Sequence, residues 1–231
     1  MKTIALITAA GRGERFGGDI PKQFRIVNGR PLLSWTINCF EQAVNVDEIV
    51  IVVGEEFLLY TNEKVVNPYL FKKVIKIVSG GETRTDSVRK GLKSLPISSG
   101  FVAIHDGARP LVDPGDIDRV IETAWQERAA ILASQATDTV KRVEGNLVLT
   151  TLDRQRIFLA ETPQAFQYDI IMSAYEKNKG ISEATDDAYF VEKLGFKVRI
   201  VKSDCINLKV TKETDLLLVR SVIESKYGTE V

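Results

Sequence analysis

The first apolar strand of this chain leads directly into a glycine- and arginine-rich loop, and this loop most restricts what the chain can fold into. The stretch reads Thr3-Ile-Ala-Leu-Ile-Thr-Ala-Ala-Gly-Arg-Gly-Glu-Arg-Phe-Gly-Gly-Asp-Ile-Pro-Lys-Gln-Phe24. Small residues let a backbone approach a ligand closely and leave peptide N–H groups able to face phosphate oxygens. Cations at Arg12, Arg15 and Lys22 match the negative charge of a triphosphate. The loop therefore predicts a nucleotide triphosphate site, and a solvated surface turn is the alternative.

Two other kinds of phosphate-binding loop do not match this stretch. A P-loop requires a Gly-Lys-Ser or Gly-Lys-Thr triplet, and the sequence contains neither. The dinucleotide fingerprint begins well at Gly11 and Gly13, but Phe16 occupies the position of its third glycine. A phenylalanine there would block close helix–strand packing. The sequence therefore disfavours a dinucleotide oxidoreductase. Binding of a nicotinamide cofactor in a titration would support that class again.

Composition excludes several classes of protein. A chain of 231 residues with 44% apolar residues predicts one large domain with a sizeable core. The 31 basic and 31 acidic residues balance, which argues against a nucleic-acid or anionic-membrane binder. Cys39 and Cys205 lie far apart without a Cys or His at ligand spacing, so neither a thiolate metal site nor a disulfide is expected. This cysteine usage suits a reducing cytoplasm.

Targeting segments are not expected either. The sequence contains no apolar run of the roughly 18 residues that a membrane span needs. Residues 1–10 lack the long apolar core and the cleavage site of a signal peptide.

Strand and helix patterns alternate along the chain, which predicts an α/β fold. The patterns indicate strands at 4–8, 47–53, 74–78, 101–104, 130–136 and 197–201. They indicate helices at 31–41, 87–94, 113–128, 169–179 and 185–194, and a final helix capped by Thr211. We expect one domain over residues 1–231, with a mostly parallel, Rossmann-like sheet and helices on both faces.

One stretch interrupts this alternation and predicts a β-hairpin. Residues 139–143 and 147–150 are strand-like, and Glu144-Gly-Asn146 supplies a turn between them. A hairpin inserted in a parallel α/β chain has no place in the main sheet, so we expect residues 137–160 to project as an arm. Because isolated hairpins are marginally stable in water, the expected partner is the same arm of a second subunit.

Polar motifs follow several of the predicted strands, at the sheet edge where ligands of parallel sheets bind. Gly80-Gly-Glu-Thr-Arg-Thr-Asp-Ser87 follows one strand and His105-Asp-Gly-Ala-Arg-Pro110 follows another. Asp106 is the candidate Mg²⁺ ligand, with a turn-forming role as the alternative. The alternative role for Ser87 is that of a helix cap. The alternative for Lys209 is a structural lysine with a buried aliphatic stem and a solvated ammonium group. His105, the only histidine, is expected to make a structural hydrogen bond, and no second His, Ser or Cys partner for nucleophilic catalysis is visible.

Taken together, these motifs resemble the 2-C-methyl-D-erythritol 4-phosphate cytidylyltransferase family over essentially the whole chain. The matching strings, in the family's order and spacing, are Ala9-Ala-Gly-x-Gly-x-Arg-Phe, Pro21-Lys-Gln23, Gly80-Gly with Arg84-x-x-Ser-Val88, His105-Asp-x-Ala-Arg-Pro110, Asp138-Thr139, Asp153-Arg154, Thr162-Pro-Gln164, Thr185-Asp186 and Asn207-x-Lys-Val-Thr211.

The resemblance implies a homodimeric enzyme that uses Mg²⁺ to join CTP to 2-C-methyl-D-erythritol 4-phosphate in the non-mevalonate isoprenoid pathway. Its products would be 4-diphosphocytidyl-2-C-methyl-D-erythritol and pyrophosphate. Carried over by motif, the catalytic residues are Arg15, Lys22, Arg154 and Lys209. The nucleotide-binding residues are Ala9, Ala10, Gly11, Gly13, Gly81, Glu82, Ser87 and Asp106. The acceptor-binding residues are Arg109, Thr139, Arg154, Thr162, Thr185 and Lys209, with Asp106 as metal ligand. The family exchanges its arms, so some of these residues would serve the neighbouring subunit.

Two departures from the family pattern and two rival functions accompany this resemblance. Gly107 stands where the family usually has Ala, and Thr8 where Ala or Pro is common. The ribitol-5-phosphate cytidylyltransferase group is similar but tends to carry Ala-Gly-Gly in the first loop, whereas this chain has Ala9-Ala10-Gly11 and also Thr185-Asp186. A non-catalytic nucleotide-binding protein would keep the glycine loop but could dispense with the acceptor motifs.

Overall fold

The fold is a seven-stranded sheet covered by helices on both faces. The computed structural model describes residues 1–11, 16, 20–96, 100–179 and 184–228. The strands are β1 (Thr3–Ala9), β2 (Ile26–Val27), β3 (Arg30–Pro31), β4 (Glu48–Val53), β5 (Val74–Ser79), β6 (Phe101–Asp106), β7 (Ala129–Gln135), β8 (Lys141–Glu144), β9 (Leu147–Thr151), β10 (Phe158–Gln167) and β11 (Arg199–Lys202). The α-helices are α1 (Leu32–Gln42), α2 (Leu58–Tyr60), α3 (Arg84–Ser94), α4 (Pro114–Glu127), α5 (Tyr168–Lys177), α6 (Ala188–Lys193) and α7 (Glu213–Tyr227).

The order of strands in the main sheet is β11-β7-β10-β6-β1-β4-β5. β1 lies parallel to β4 and β6, β4 is parallel to β5, and β11 is parallel to β7. β10 alone runs antiparallel, between β6 and β7. The predicted mostly parallel α/β sheet is therefore confirmed, with one antiparallel strand that the sequence analysis did not predict.

Strand side chains alternate between two apolar layers. Ala5, Ile7 and Ala9 of β1 face the layer that contains α1 and α4. Ile4 and Leu6 face the other layer, which contains α3, α5 and α6. All of β4 from Ile49 to Val53 is buried, because such a continuous apolar run needs a cover on both faces.

Three of the differences between the predicted and the observed elements involve specific side-chain contacts. α6 begins at Ala188 rather than at Thr185, and at this start Gln164 Oε1 accepts hydrogen bonds from the N–H groups of Asp187 and Ala188 at 3.1 and 3.0 Å. The N-cap of α7 is Lys212 rather than Thr211, and Asp215 accepts hydrogen bonds from the N–H groups of both residues.

The third difference concerns Ser87, whose alternative role as a helix cap is wrong. Thr83 caps α3 by accepting a hydrogen bond from the N–H of Asp86. Ser87 lies inside the helix, so its hydroxyl is available for another contact, which is described with the site below.

The hairpin arm is present, as predicted. β8 and β9 form a separate two-stranded antiparallel sheet, and every residue of both strands is exposed. Its apolar side chains Val143, Leu147, Val148 and Leu149 are between 46% and 68% exposed. A hairpin with this much exposed apolar surface has the composition of an interaction surface.

Among the helices that the structure describes, none has both the length and the apolar character needed to cross a lipid bilayer.

Close packing of α3 on the sheet gives a test of the fold. A Cβ on Gly91 would lie 2.7 Å from Leu6 Cδ1 and 2.9 Å from Val52 Cγ2. Alanine favours a helix by about 1 kcal/mol over glycine, but overpacking a core costs about 1–3 kcal/mol. We expect Gly91→Ala to lower the free energy of unfolding in urea by about 1 kcal/mol. Lys93→Ala on the exposed side of the same helix should change it by less than about 0.5 kcal/mol. A Gly91→Ala variant as stable as the wild type would contradict this packing.

Candidate active site

The carboxyl ends of four parallel strands meet at one edge of the sheet. The register pairs Thr8 of β1 with Asp106 of β6, and Ala9 of β1 with Val53 of β4. Val53 in turn pairs with Ser79 of β5. The loops that leave β1, β5 and β6 therefore start side by side, and these loops carry the polar motifs of the sequence.

The first loop begins with a buried Ala9, followed by a half-buried Ala10 and an exposed Gly11. A buried glutamine, Gln23, donates hydrogen bonds from Nε2 to the carbonyl oxygens of Ala9 and Gly11 at 2.7 and 3.1 Å. Two predicted site residues of this loop, Gly13 and Arg15, lie outside the described residues, as does Arg12.

The second loop packs against the first. A Cβ on Gly80 would lie 2.5 Å from Ala10 Cβ, so only glycine allows this approach. The N–H of Gly81 donates to Ser87 Oγ at 3.0 Å, and Ser87 is 3% exposed. This is the contact that replaces the predicted capping role of Ser87. Glu82, also predicted to bind the nucleotide, is exposed.

Asp106, at the end of β6, is the centre of a cluster of charges. Its Oδ1 accepts a hydrogen bond from Arg84 Nε at 3.1 Å, and its Oδ2 pairs with Lys209 Nζ at 2.7 Å. Arg109 Nε lies 3.8 Å from Oδ2. Burial by itself would raise the pKa of the Asp106 carboxyl, but the Arg84 and Lys209 cations outweigh it and hold the pKa well below its usual range. Asp106 is therefore ionised, and it draws three cations to the edge of the sheet.

Arg84 links this cluster to a second buried carboxylate. Its Nη1 and Nη2 donate to both oxygens of Asp187, at 3.0 and 2.7 Å, and Asp187 is fully buried. The hydroxyl of Tyr175 on α5 also donates to Asp187, at 2.5 Å. Charges thus alternate from Lys209 through Asp106 and Arg84 to Asp187, which fixes the Arg84 guanidinium from two sides.

The predicted acceptor-side residues Arg109, Thr162 and Lys209 meet around the same carboxylate. The N–H of Asp106 donates to Thr162 Oγ1 at 3.1 Å. Arg109 Nη1 donates to the carbonyl of Asn207 at 2.7 Å, and Asn207 Nδ2 donates to the carbonyl of Thr162 at 2.8 Å. This network holds the segment that carries Lys209 against β6 and β10.

Lys22, predicted to be catalytic, reaches the same segment from the first loop. Its Nζ donates to the carbonyl of Val210 at 2.7 Å, and the N–H of Val210 donates to the carbonyl of Ala108 at 2.8 Å. The loops after β1 and β6 and the segment before α7 are therefore bound to one another at the sheet edge.

Three predicted acceptor-side residues are not part of this cluster. Thr139 and Arg154 lie exposed on and beside the arm, where Arg154 Nη1 donates to the carbonyl of Thr137 at 2.6 Å. Thr185 is exposed, two residues before Asp187. Arg154 and Thr139 belong to the arm, which is predicted to pack against a second subunit.

His105 makes a structural hydrogen bond, as predicted. It is fully buried, its Nε2 lies 3.2 Å from the carbonyl of Arg109, and its ring packs on Phe40 with 4.8 Å between ring centroids. Burial lowers the pKa of His105 to about 3, against the attraction of Asp106. The imidazole is therefore neutral at physiological pH and is closed off from any ligand.

The residues at the site do not fit a metal ion held by the protein alone. Within the described parts of the chain, no group of three or more His, Cys, Asp or Glu side chains is arranged to hold a metal. Both oxygens of Asp106, the predicted Mg²⁺ ligand, are engaged by Arg84 and Lys209. A divalent cation on Asp106 would require Lys209 to release Oδ2, because like charges repel at this distance.

Sequence reasoning missed the parts that Arg84, Asp187 and Gln23 play. Arg84 and Gln23 lie within strings that carry the family resemblance, but neither string by itself predicts a role for them. Asp187 follows the quoted pair Thr185-Asp186. The available signal was the pair of adjacent aspartates at residues 186 and 187. If one of them is buried, its carboxylate needs a cationic partner elsewhere in the chain.

Comparison with known proteins is consistent with this geometry. A family model described as IspD, 2-C-methyl-D-erythritol 4-phosphate cytidylyltransferase, matches residues 3–225. A protein of that name from Syntrophus aciditrophicus is 41% identical over 229 residues, which cover 98% of each chain. Another from Dehalococcoides mccartyi is 44% identical over 225 residues, which cover 96% of each.

A solved structure has the same fold. The crystal structure of 4-diphosphocytidyl-2C-methyl-D-erythritol synthase from Anaerococcus prevotii superposes with a TM-score of 0.84 at 29% identity. The match covers 96% of this chain and 98% of that one.

The buried His105 gives a pH test of the site. The folded-state pKa of about 3 lies below the usual value of 6.5, so the unfolded chain binds a proton first as the pH falls. The stability that the neutral imidazole contributes is therefore fully present above pH 6.5 and is lost as the pH falls towards 3, with the charges of Asp106 and Arg109 acting on the ring in opposite directions. We expect the free energy of unfolding to fall by about 2 kcal/mol between pH 8 and pH 5, measured by urea denaturation.

The control is His105→Gln, since the chain has no other histidine. This variant is expected to be less stable at pH 8 but to lack the decrease between pH 8 and pH 5. A wild type whose stability is flat over this range, or a variant that retains the slope, would contradict a buried neutral imidazole.

Proposed function

Because the chain belongs to the 2-C-methyl-D-erythritol 4-phosphate cytidylyltransferase family, we propose that it transfers CMP from CTP to 2-C-methyl-D-erythritol 4-phosphate in isoprenoid biosynthesis. The products are 4-diphosphocytidyl-2-C-methyl-D-erythritol and pyrophosphate. The observation that carries the proposal is the cluster of Arg84, Arg109 and Lys209 around Asp106, with Lys22 bound to the adjacent segment. A reaction between two anionic phosphates needs such a cationic edge.

The chemistry requires no general base from the protein. The acceptor phosphate already carries an anionic oxygen, which attacks the α-phosphorus of CTP while the bond to pyrophosphate breaks. The neutral, buried His105 is in keeping with this, since no proton has to be removed. The barrier lies in bringing two anions together and in stabilising charge on the nonbridging oxygens and on the departing pyrophosphate.

Cations of the chain meet these two demands on two sides of the reacting phosphorus. We assign Arg15 and Lys22 to the triphosphate and Lys209, Arg109 and Arg154 to the acceptor phosphate. The ion pairs to Asp106 hold Arg84 and Lys209 in place before substrate arrives, so little reorganisation is needed at the moment of reaction.

Residues other than the cations complete the two halves of the site. On the nucleotide side, the residues whose backbone is proposed to approach CTP closely are Ala9, Ala10, Gly11, Gly13 and Gly81. The proposed polar contacts to CTP are Glu82, Ser87 and Asp106. On the acceptor side, hydrogen bonds to the polyol phosphate are proposed for Thr139, Thr162 and Thr185.

Enzymes of this family are nucleotidyltransferases, which generally depend on a metal, and we propose Mg²⁺ for this chain. A bound Mg²⁺ would neutralise part of the charge of the triphosphate. Mg²⁺ is usually held by phosphate oxygens, waters and one or two carboxylates. Because the carboxylate of Asp106 is already occupied, the phosphates are expected to be the main ligands of Mg²⁺.

We propose that the chain is one nucleotidyltransferase domain over residues 1–231 that forms a homodimer through the arm at residues 137–160. Support comes from the exposed apolar side chains of β8 and β9, which exchange with a second arm would cover. The two thiols form no disulfide with each other, and a cytoplasmic location is proposed on that ground. Nucleic acid and membranes are not expected as partners, because the net charge is zero.

Pyrophosphate release tests the function directly. The enzyme is incubated with CTP and Mg²⁺ and either 2-C-methyl-D-erythritol 4-phosphate, ribitol 5-phosphate or no acceptor. Release with the first acceptor alone is expected. Preference for ribitol 5-phosphate would favour the ribitol-5-phosphate cytidylyltransferase group, and binding of CTP without release under any condition would favour a non-catalytic nucleotide-binding protein.

Substitution of Lys22 tests its catalytic role. Loss of one charge-stabilising donor in a reaction of this kind costs roughly 100-fold or more in turnover. We expect Lys22→Ala to lower kcat by at least about this factor while the thermal unfolding curve keeps its shape. Lys93→Ala, which removes an exposed lysine of α3, serves as the matched control. Turnover close to that of the wild type would remove Lys22 from the mechanism.

Substitution of Arg154 tests the acceptor side and the exchanged arm. We expect Arg154→Ala to raise the KM for the acceptor more than the KM for CTP, because it removes a cation assigned to the acceptor phosphate. Steady-state kinetics with each substrate varied in turn measures both constants. Equal effects on the two would reject the acceptor-side assignment.

A mixed dimer of Lys22→Ala and Arg154→Ala subunits shows which subunit Arg154 serves. If Arg154 acts in the neighbouring site, one of the two sites in the mixed dimer has both wild-type residues. Activity then rises on mixing and subunit exchange. If Arg154 acts within its own subunit, each site keeps one substitution and mixing restores nothing.

A further inference from the structure

A single helical turn after the first loop contacts three separate parts of the molecule. Lys22–Phe24 is a 3-10 turn, in which successive side chains point about 120° apart. Lys22 reaches the carbonyl of Val210 at 2.7 Å. Phe24 is 2% exposed and packs on the ring of Phe57, with 4.9 Å between centroids. Between them, Gln23 points to the first loop.

The side chain of Gln23 is placed to hold the backbone on both sides of Ala10. Gln23 is 3% exposed, and its Nε2 donates to the carbonyl oxygens of Ala9 at 2.7 Å and Gly11 at 3.1 Å. A glutamine amide has two N–H donors, and both have a partner here. Ala9 is the last residue of β1, so these contacts lie where the strand becomes the loop.

This arrangement determines which way the first peptide groups of the loop face. In a trans peptide the N–H points opposite to the C=O, so a carbonyl of Ala9 held by Gln23 directs the N–H of Ala10 away from Gln23. Ala10 in turn packs against Gly80 of the second loop, where a Cβ would meet Ala10 Cβ at 2.5 Å. A shift of Ala10 would therefore disturb both nucleotide-side loops.

We propose that Gln23 is a positioning residue for the nucleotide triphosphate, which acts through the backbone of Ala9, Ala10 and Gly11 and makes no contact with substrate. The proposal rests on the proposed function, since it assigns these backbone groups to the nucleotide. Phe24 anchors the turn in the core, whereas Gln23 aligns the loop. The two neighbours are therefore separable, because loss of packing at Phe24 affects stability and loss of the donors at Gln23 affects nucleotide affinity.

Calorimetric titration of CTP into the full-length enzyme, without acceptor, tests this inference. Gln23→Met keeps the length and approximate volume of the side chain and removes both donors. We expect its Kd for CTP to rise by about tenfold, because the loop backbone must then be ordered when CTP binds. The KM for the acceptor should stay within about twofold of the wild-type value.

The matched control is Phe24→Leu, which should lower the unfolding temperature and leave the Kd for CTP within about twofold. Should Gln23→Met fail to fold, Gln23→Asn carries the same comparison, because it keeps an uncharged amide that is one methylene too short to hold both carbonyl oxygens. Either Gln23 variant is expected to bind CTP more weakly than the wild type.

The outcomes separate this inference from the function on which it rests. A wild type that binds CTP and a folded Gln23 variant with unchanged affinity would overturn the positioning role alone. A Phe24→Leu variant with the same loss of affinity as Gln23→Met would also overturn it, because the effect would then come from the turn as a whole. A wild type that binds no CTP would overturn the proposed function together with the inference.

Discussion

The ionised Asp106 at the end of β6 is the constraint on which the rest of the site depends. Arg84, Arg109 and Lys209 come from different parts of the chain, and their charges would repel one another without a carboxylate between them. Asp187 adds a second negative charge behind Arg84. The fold thus assembles a cationic edge before any anion binds, which is the preorganisation that a reaction between two phosphates needs.

Close packing of small residues complements this charge cluster. Ala10 and Gly80 approach so closely that two loops from non-adjacent strands share one surface, and Gln23 fixes the orientation of the first. The cations of the site and the backbone of the first loop are therefore held in place by different interactions. The cations depend on ion pairs to Asp106, and the loop depends on hydrogen bonds from a buried amide. Substitutions that remove one set of interactions are expected to leave the other set largely intact.

Local patterns were sufficient to predict most of the architecture. The apolar run of β4, the Asp113-Pro114 start of α4 and the turn between β8 and β9 each carry their own structural signal. β10 could not be predicted in this way, because Glu161-Thr-Pro163 interrupts its strand pattern and its ladder shifts register between Ala160 and Gln164. It is a strand because β6 and β7 lie on either side of it.

The order of residues is enough to predict the alternation of strands and helices, the hairpin arm, the family and the motifs that follow the strands. These depend on the residue types and their spacing within short stretches of chain. The folded chain was needed to show that three cations share Asp106, that Asp187 holds Arg84, and that Gln23 holds the carbonyls beside Ala10. The ion pairs of Lys209 with Asp106 and of Arg84 with Asp187 join segments that are far apart in sequence, so their partners are set by the packing of the sheet and not by local pattern.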